Sequence, residues 1–95
     1  MPQPIELRAF MGLSDLFRER GWRSPRLVDV GEGGLSGEAL LVRLDIPLEA
    51  VEVIFVNGKA SGPDQAFIHP GDRVALAPPG VPGPYRVLLG FRKMD

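Results

Sequence analysis

The stretch VEVIFVNGKA, Val51 to Ala60, decides how this chain is read. Val51 to Val56 is apolar except for Glu52. Such a run predicts a central strand covered wholly on one face and at least partly on the other. Asn57-Gly58 follows directly. An Asn-Gly pair between apolar runs is the strongest short hairpin signal, because both centres of a type I′ turn need positive φ. Lys59-Ala60 therefore begins a return strand.

Working outward, the residues on either side alternate or cap. Towards the C-terminus, Ser61 to Pro70 reads as irregular, with Gly62-Pro63-Asp64 as one turn and Gly71-Asp72 as a second. Arg73 to Ala77 is the next strand, stopped by Pro78-Pro79. Towards the N-terminus, LSGEALLVRL carries the best helix signal. Ser36 is placed to accept a hydrogen bond from a first-turn amide, and Glu38 puts negative charge at the positive helix end. Leu35 and Leu40 have the spacing of a hydrophobic staple. Leu40, Leu41 and Leu44 make one face, and Pro47 stops the run.

Earlier still, Ile5, Leu7 and Ala9 alternate with Glu6, Arg8 and Phe10, the pattern of a half-buried strand. Between Met11 and Pro25 the pattern breaks. GLSDLFRERGW predicts a helical turn or two, with Ser14 as a cap and Leu13, Leu16 and Phe17 on one face. Leu27 to Val30 reads as a short strand, ended by Gly31, Gly33 and Gly34. The order of elements predicts an α+β fold, a mixed sheet packed on one main helix.

Composition bounds the function. Ninety-five residues make one domain. Hydrophobic residues at 44% and charged residues at 24% are ordinary for a soluble protein, and the 12 Gly and 10 Pro lie at boundaries between apolar runs, as turns. A net charge of −1 offers no excess to neutralise phosphates, so nucleic-acid binding is not expected. Arg18, Arg20, Arg23 and Arg26, interrupted by Glu19, read as a solvated loop. The absence of cysteine removes disulfides, thiolate metal sites and a cysteine nucleophile together, and fits a cytoplasmic protein. The N-terminus MPQPIELRAF shows no signal peptide, and no apolar run approaches a membrane span.

Candidate chemistry is sparse. His69 is the single histidine and stands before Pro-Gly, as a loop residue rather than a ligand. Asp29, Asp64 and Asp72 have no calcium or acid–base spacing and suit turns and caps. GEGGLSGE, Gly31 to Glu38, is glycine-rich before a helix but lacks the Lys-Ser/Thr end of a phosphate loop and the dinucleotide spacing. Ser14 and Ser36 have no histidine partner, so no nucleophilic catalysis is expected, nor a cofactor. Trp22 is placed as a lid over the edge of the core.

Taken together, VEVIFVNGKA and HPGDRVALAPPGVPG, His69 to Gly83, resemble the MoaD/ThiS family of ubiquitin-like sulfur carriers. The matching residues are Val56, Asn57 and Gly58; Gly71, Asp72 and Val74; and Pro78 and Pro79. The resemblance covers Leu35 to Gly83 well and Ile5 to Val30 more loosely. It implies a ubiquitin-like β-grasp over residues 1–83. It also implies a role in sulfur transfer for molybdopterin, its tungsten analogue or thiamine thiazole. The implied partners are an adenylating enzyme and a sulfur-accepting enzyme such as the large subunit of molybdopterin synthase. In that family the C-terminal carboxylate of a Gly-Gly end is adenylated and converted to a thiocarboxylate. Bare backbone suits a narrow channel.

Here the chain departs from the pattern. After Pro-Pro it reads Gly80-Val81-Pro82-Gly83, and twelve residues follow, ending Lys93-Met94-Asp95. Gly83 stands near the family's final glycine, and Pro82 replaces the penultimate one with a fixed φ and a ring. Gly80, Pro82 and Gly83 are thus the candidate carrier tail, competent only after processing at Gly83. Residues 84–95 form a C-terminal extension. Tyr85, Val87, Leu89 and Phe91 alternate with Arg86, Leu88, Gly90 and Arg92, the pattern of an added strand. Its apolar side would cover roughly 400–600 Å², several kcal/mol at about 25 cal/mol per Å². A discarded propeptide has no need of such a pattern. The alternative function is a β-grasp interaction module that uses this strand to bind a partner or a second copy. Similar ubiquitin-like domains occur fused to ribonuclease-type domains, whose first loop LSDLFRERGW resembles. Phe55, Ala75 and Ala77, with Tyr85, Val87, Leu89 and Phe91, are the candidate partner-binding residues.

Overall fold

The computed structural model describes residues 3–80. It is an α+β structure with a five-stranded mixed sheet and two helices. The strands of the sheet are β1 (Ile5–Ala9), β2 (Arg26–Val28), β4 (Val53–Val56), β5 (Lys59–Ser61) and β7 (Arg73–Ala77). They lie in the order β2-β1-β7-β4-β5. The central pair, β1 and β7, is parallel and joins the two ends of the described chain; the other pairs are antiparallel. A separate two-stranded ladder pairs β3 (Leu35–Ser36) with β6 (Phe67–Ile68).

Period-two patterning places the core on one sheet face. Ile5 and Leu7 of β1, Ile54 of β4, and Val74 and Leu76 of β7 are at most 1% exposed. Over them lie α1 (Gly12–Glu19) through Leu13 and Phe17, and α2 (Gly37–Arg43) through Leu40 and Leu41. Leu44, Ile46, Val51, Ala66 and Ile68 complete the core. Twenty apolar side chains are buried and no polar one is, among the described residues.

The helix expected from Ser36 forms as read. The Ser36 Oγ accepts a hydrogen bond from the Ala39 amide at 3.1 Å, and both staple residues, Leu35 and Leu40, enter the core. It ends at Arg43, before Pro47 is reached. Asp45 takes φ 56°, its amide donates to the Val42 carbonyl, and the Ile46 amide donates to the Leu41 carbonyl. This is a Schellman turn, which satisfies the last carbonyls of the helix. Pro47 instead precedes a short 3-10 turn, Leu48–Ala50.

The helical turns expected in GLSDLFRERGW form as α1, eight residues packed on the same sheet face as α2. Three other expectations are corrected. Ser14 does not cap α1: the cap position is Met11, and the Ser14 Oγ donates back to the Met11 carbonyl at 2.6 Å. Leu13 and Phe17, one turn apart, hold this helix by burial. The stretch Ser61 to Pro70 is not wholly irregular, because Phe67 and Ile68 pair with Ser36 and Leu35. A two-residue strand has too little periodicity to read. The strand expected at Leu27 to Val30 lies one residue earlier and is shorter, at Arg26–Val28.

Trp22 is a lid. Its ring meets Phe17 edge-on at 5.2 Å, and the guanidinium groups of Arg20 and Arg26 stand over it, 4.9 and 4.3 Å from its centroid. Arg20 also donates to the carbonyls of Leu44 and Asp45, both at 2.6 Å, so the lid is tied to the end of α2. The arginines expected on a solvated loop thus include two that hold the indole.

Candidate partner-binding face and C-terminal exit

The Asn57-Gly58 turn connects β4 to β5 with Val56 opposite Lys59, and both turn residues have positive φ, 52° and 86°. Asn57 does more than turn the chain. Its Oδ1 accepts from the Arg73 amide at 2.9 Å, and its Nδ2 donates to Asp72 Oδ1 at 3.0 Å. The other carboxylate oxygen of Asp72 accepts from the His69 amide at 2.9 Å. Asn57 and Asp72 therefore lock the β4–β5 hairpin to the turn that starts β7. The Asp72 role is the turn role expected of it. His69 stays on the surface, with its Nδ1 3.8 Å from Asp72 Oδ2 and its ring edge-on to Phe67.

The lock sets the register of β7 and so the composition of the outer sheet face, the one turned away from both helices. Register gives three rows. The first holds Leu27, Glu6 and Arg73, with Arg73 Nε 3.9 Å from Glu6 Oε2. The second runs Arg8, Ala75, Phe55, Ala60 across four strands. The third pairs Ala77 with Val53. Phe10, just past β1, meets Phe55 edge-on at 6.1 Å. Charge therefore lies at one end of the face and apolar surface at the other, where β7 ends.

Phe55, Ala75 and Ala77, expected as partner-binding residues, are brought together on this face. Phe55 and Ala77 form a second apolar cluster, separate from the main core, with Phe10, Val53, Ala60 and Ala75 packed against them. Beside it an open groove of about 360 Å³ runs between Arg8, Phe10, Phe55, Gly58, Arg73 and Ala75. The same face also carries Phe10, Val53 and Arg8, which the sequence reading did not name. The signal was present: Phe10 and Arg8 share the polar-side period of β1, and Val53 shares that of Phe55.

Of the candidate tail, Gly80 is exposed at φ 84°, and a Cβ there would meet nothing within 4 Å. Pro82 and Gly83 lie outside the described residues, as do Tyr85, Val87, Leu89 and Phe91 and the division of the chain at residue 83. Gly31 to Glu38 is a turn and a cap, as expected: the Gly31 amide donates to Asp29 Oδ1, and Gly34 takes φ 71°. A Cβ at Gly34 would overlap the Ile68 carbonyl, so close packing of β3 on β6 explains this glycine without a phosphate.

Among the described residues no cluster of three or more His, Asp or Glu could hold a metal ion, and no helix is long and apolar enough to cross a membrane. Comparison of the chain with family models, with curated proteins and with solved structures found no match.

Proposed function

We propose that this chain is a β-grasp protein of the MoaD/ThiS type, a protein-bound sulfur donor for molybdopterin, tungsten-pterin or thiamine thiazole formation. It acts with partner enzymes and is not itself an enzyme. The observation that carries this reading is the sheet order β2-β1-β7-β4-β5 around a parallel central pair. The helical elements pack on one face, and the chain leaves the central strand through Pro78-Pro79-Gly80 beside an apolar outer face. The Asn57 and Asp72 lock gives the Val-Asn-Gly and Gly-Asp segments of the resemblance a common structural reason.

The chemistry requires a carboxylate at Gly83. Hydrolysis of the Gly83-Pro84 bond supplies it. The carboxylate then attacks the α-phosphorus of ATP on an adenylating enzyme, and pyrophosphate leaves. A persulfide carried by a partner displaces AMP from the acyl carbon to give an acyl disulfide, and a partner thiol then attacks the partner-side sulfur, forming a partner disulfide and releasing the thiocarboxylate.

Intact mass of the protein expressed in its own host tests the reading. The expected species ends at Gly83, a fraction of it with one oxygen replaced by sulfur. Full-length chain alone, without sulfur, overturns it. That result favours the second reading, an interaction module of the same fold. The half-buried apolar residues Phe10, Val53, Ala60 and Ala75 on the sheet face away from the helices support that alternative.

A further inference from the structure

Asn57 is the single asparagine of the chain, and Gly58 follows it. The pair carries a reaction that needs no enzyme. The Gly58 backbone nitrogen attacks the side-chain carbon Cγ of Asn57, and a glycine, having no side chain, hinders that approach least. A carbon–nitrogen bond forms, the Nδ2 group leaves as ammonia with the proton given up by the Gly58 amide, and a five-membered succinimide closes. Water then opens the ring at either carbonyl. The products are aspartate or, with the main chain rerouted through Cβ and Cγ, isoaspartate. Both residues are exposed, so water reaches them.

Two features of the fold oppose ring closure. Positive φ at both centres of a two-residue hairpin, 52° and 86°, defines a type I′ turn. The first centre of that turn has ψ of about +30°, which holds Cβ and the next nitrogen nearly opposite across the Cα–C bond. The ring needs them on the same side. The Asn57 amide group is also pinned at both ends, by Asp72 Oδ1 at 3.0 Å and by the Arg73 amide at 2.9 Å. Asp72 is a fixed partner, since its side chain is 16% exposed and its other oxygen accepts from the His69 amide. Bringing Cγ onto the Gly58 nitrogen breaks both bonds of Asn57.

We propose that Asn57-Gly58 is a site of spontaneous conversion to aspartate and isoaspartate, held shut by the link to Asp72 and Arg73 and irreversible once converted. Neither product rebuilds the link. A carboxylate has acceptors only, so aspartate at position 57 sets two carboxylates against each other where Nδ2 now donates to Asp72. Isoaspartate adds a carbon to the main chain, and Val56 no longer stands opposite Lys59 across a two-residue turn. Either change releases the turn that starts β7. The proposal does not rest on the sulfur-donor reading.

Ageing of the recombinant full chain in mildly alkaline buffer, folded and in unfolding urea, tests it. Peptide mass follows the exchange of amide for acid at position 57, and an isoaspartyl methyltransferase labels the rerouted product. The folded chain should convert roughly tenfold more slowly than the unfolded one, or slower still. That retardation should match, within roughly fivefold, the protection of the Arg73 amide from hydrogen exchange, because this amide is bound to Asn57 Oδ1 and reports the same opening. Asp72→Ala should speed conversion of the folded chain several-fold. Gly37→Ala, which strains the core away from the turn, should not. In the isolated isoaspartate product the Arg73 amide should lose its protection. Equal rates in buffer and urea overturn the proposal, and so does the absence of conversion in urea. Equal acceleration by the two variants, or retained protection in the product, also overturns it. Should Asp72→Ala fail to fold, the match between ageing and Arg73 exchange in the unmodified chain still decides.

Discussion

The side chain of Asn57 donates to Asp72 and accepts from the amide of Arg73, so one residue turns a hairpin and anchors the next strand. Backbone geometry reinforces the link, because the Asn57 amide also donates to the Arg73 carbonyl at 2.8 Å. A residue at φ 52° that must also bond in two directions is best served by asparagine.

Two substitutions at this position separate conformation from bonding. Asn57→Gly accepts the positive φ but loses both side-chain bonds, and should cost about 1 kcal/mol. Asn57→Ala loses the bonds and strains the backbone, and should cost about 2–3 kcal/mol. Urea midpoints measure the difference; equal midpoints would show that φ contributes nothing here.

Glycine is required at Gly37 by packing and not by its dihedral angles. A Cβ there would lie 2.6 Å from Ile54 Cδ1 and 2.8 Å from the Pro63 carbonyl. Gly37→Ala should therefore destabilise by about 1–3 kcal/mol despite the better helix propensity of alanine. At Gly12, the first residue of α1, a Cβ meets nothing within 4 Å. Gly12→Ala should be neutral or stabilise by up to about 1 kcal/mol. Thermal unfolding of both variants gives the sign of each.

The end of α2 offers a gain and a loss. Asp45 occupies the left-handed position of the Schellman turn, so Asp45→Gly should stabilise by about 0.5–1 kcal/mol. Arg20→Ala removes two hydrogen bonds to the carbonyls of the same turn and one cation over Trp22. It should cost about 1–2 kcal/mol and change the emission of the single tryptophan. Arg20→Lys keeps the charge but not the fork, and should recover less than half of that loss.

For the sulfur-donor reading, Pro82 is the residue to change. In a chain ending at Gly83, Pro82→Gly should raise adenylation by the host's adenylating enzyme several-fold, measured as ATP–pyrophosphate exchange. A glycine there removes the ring and the fixed φ at the penultimate position. An unchanged rate would mean that the channel of that enzyme already accepts proline.

Much of this architecture is legible in local chemistry. Ser36 as a cap, Leu40, Leu41 and Leu44 as a buried helix face, Asn57-Gly58 as a tight hairpin and Val74 with Leu76 as a core strand all follow from signals within a few residues. The turns of α1 were legible but its start was not, because Met11 at the cap position offers no side-chain hydrogen bond. The β3–β6 ladder was illegible, since each strand has two residues and its partner lies some thirty positions away. The partner face was half legible. Alternation marks Phe55, Ala75 and Ala77 as one side of their strands, but only register shows that Arg8, Ala75, Phe55 and Ala60 form a single row.

By itself, the sequence determined the class of fold, the position of the turns and the inner side of each long strand. Those properties depend on propensity, capping and periodicity, which act over a few neighbouring residues. Tertiary structure alone decided which strands are neighbours, that Asn57 reaches Asp72 and Arg73, and that charge and apolar surface separate along the outer face. These depend on long-range pairing, where contacts between residues far apart in the chain must all be satisfied at once.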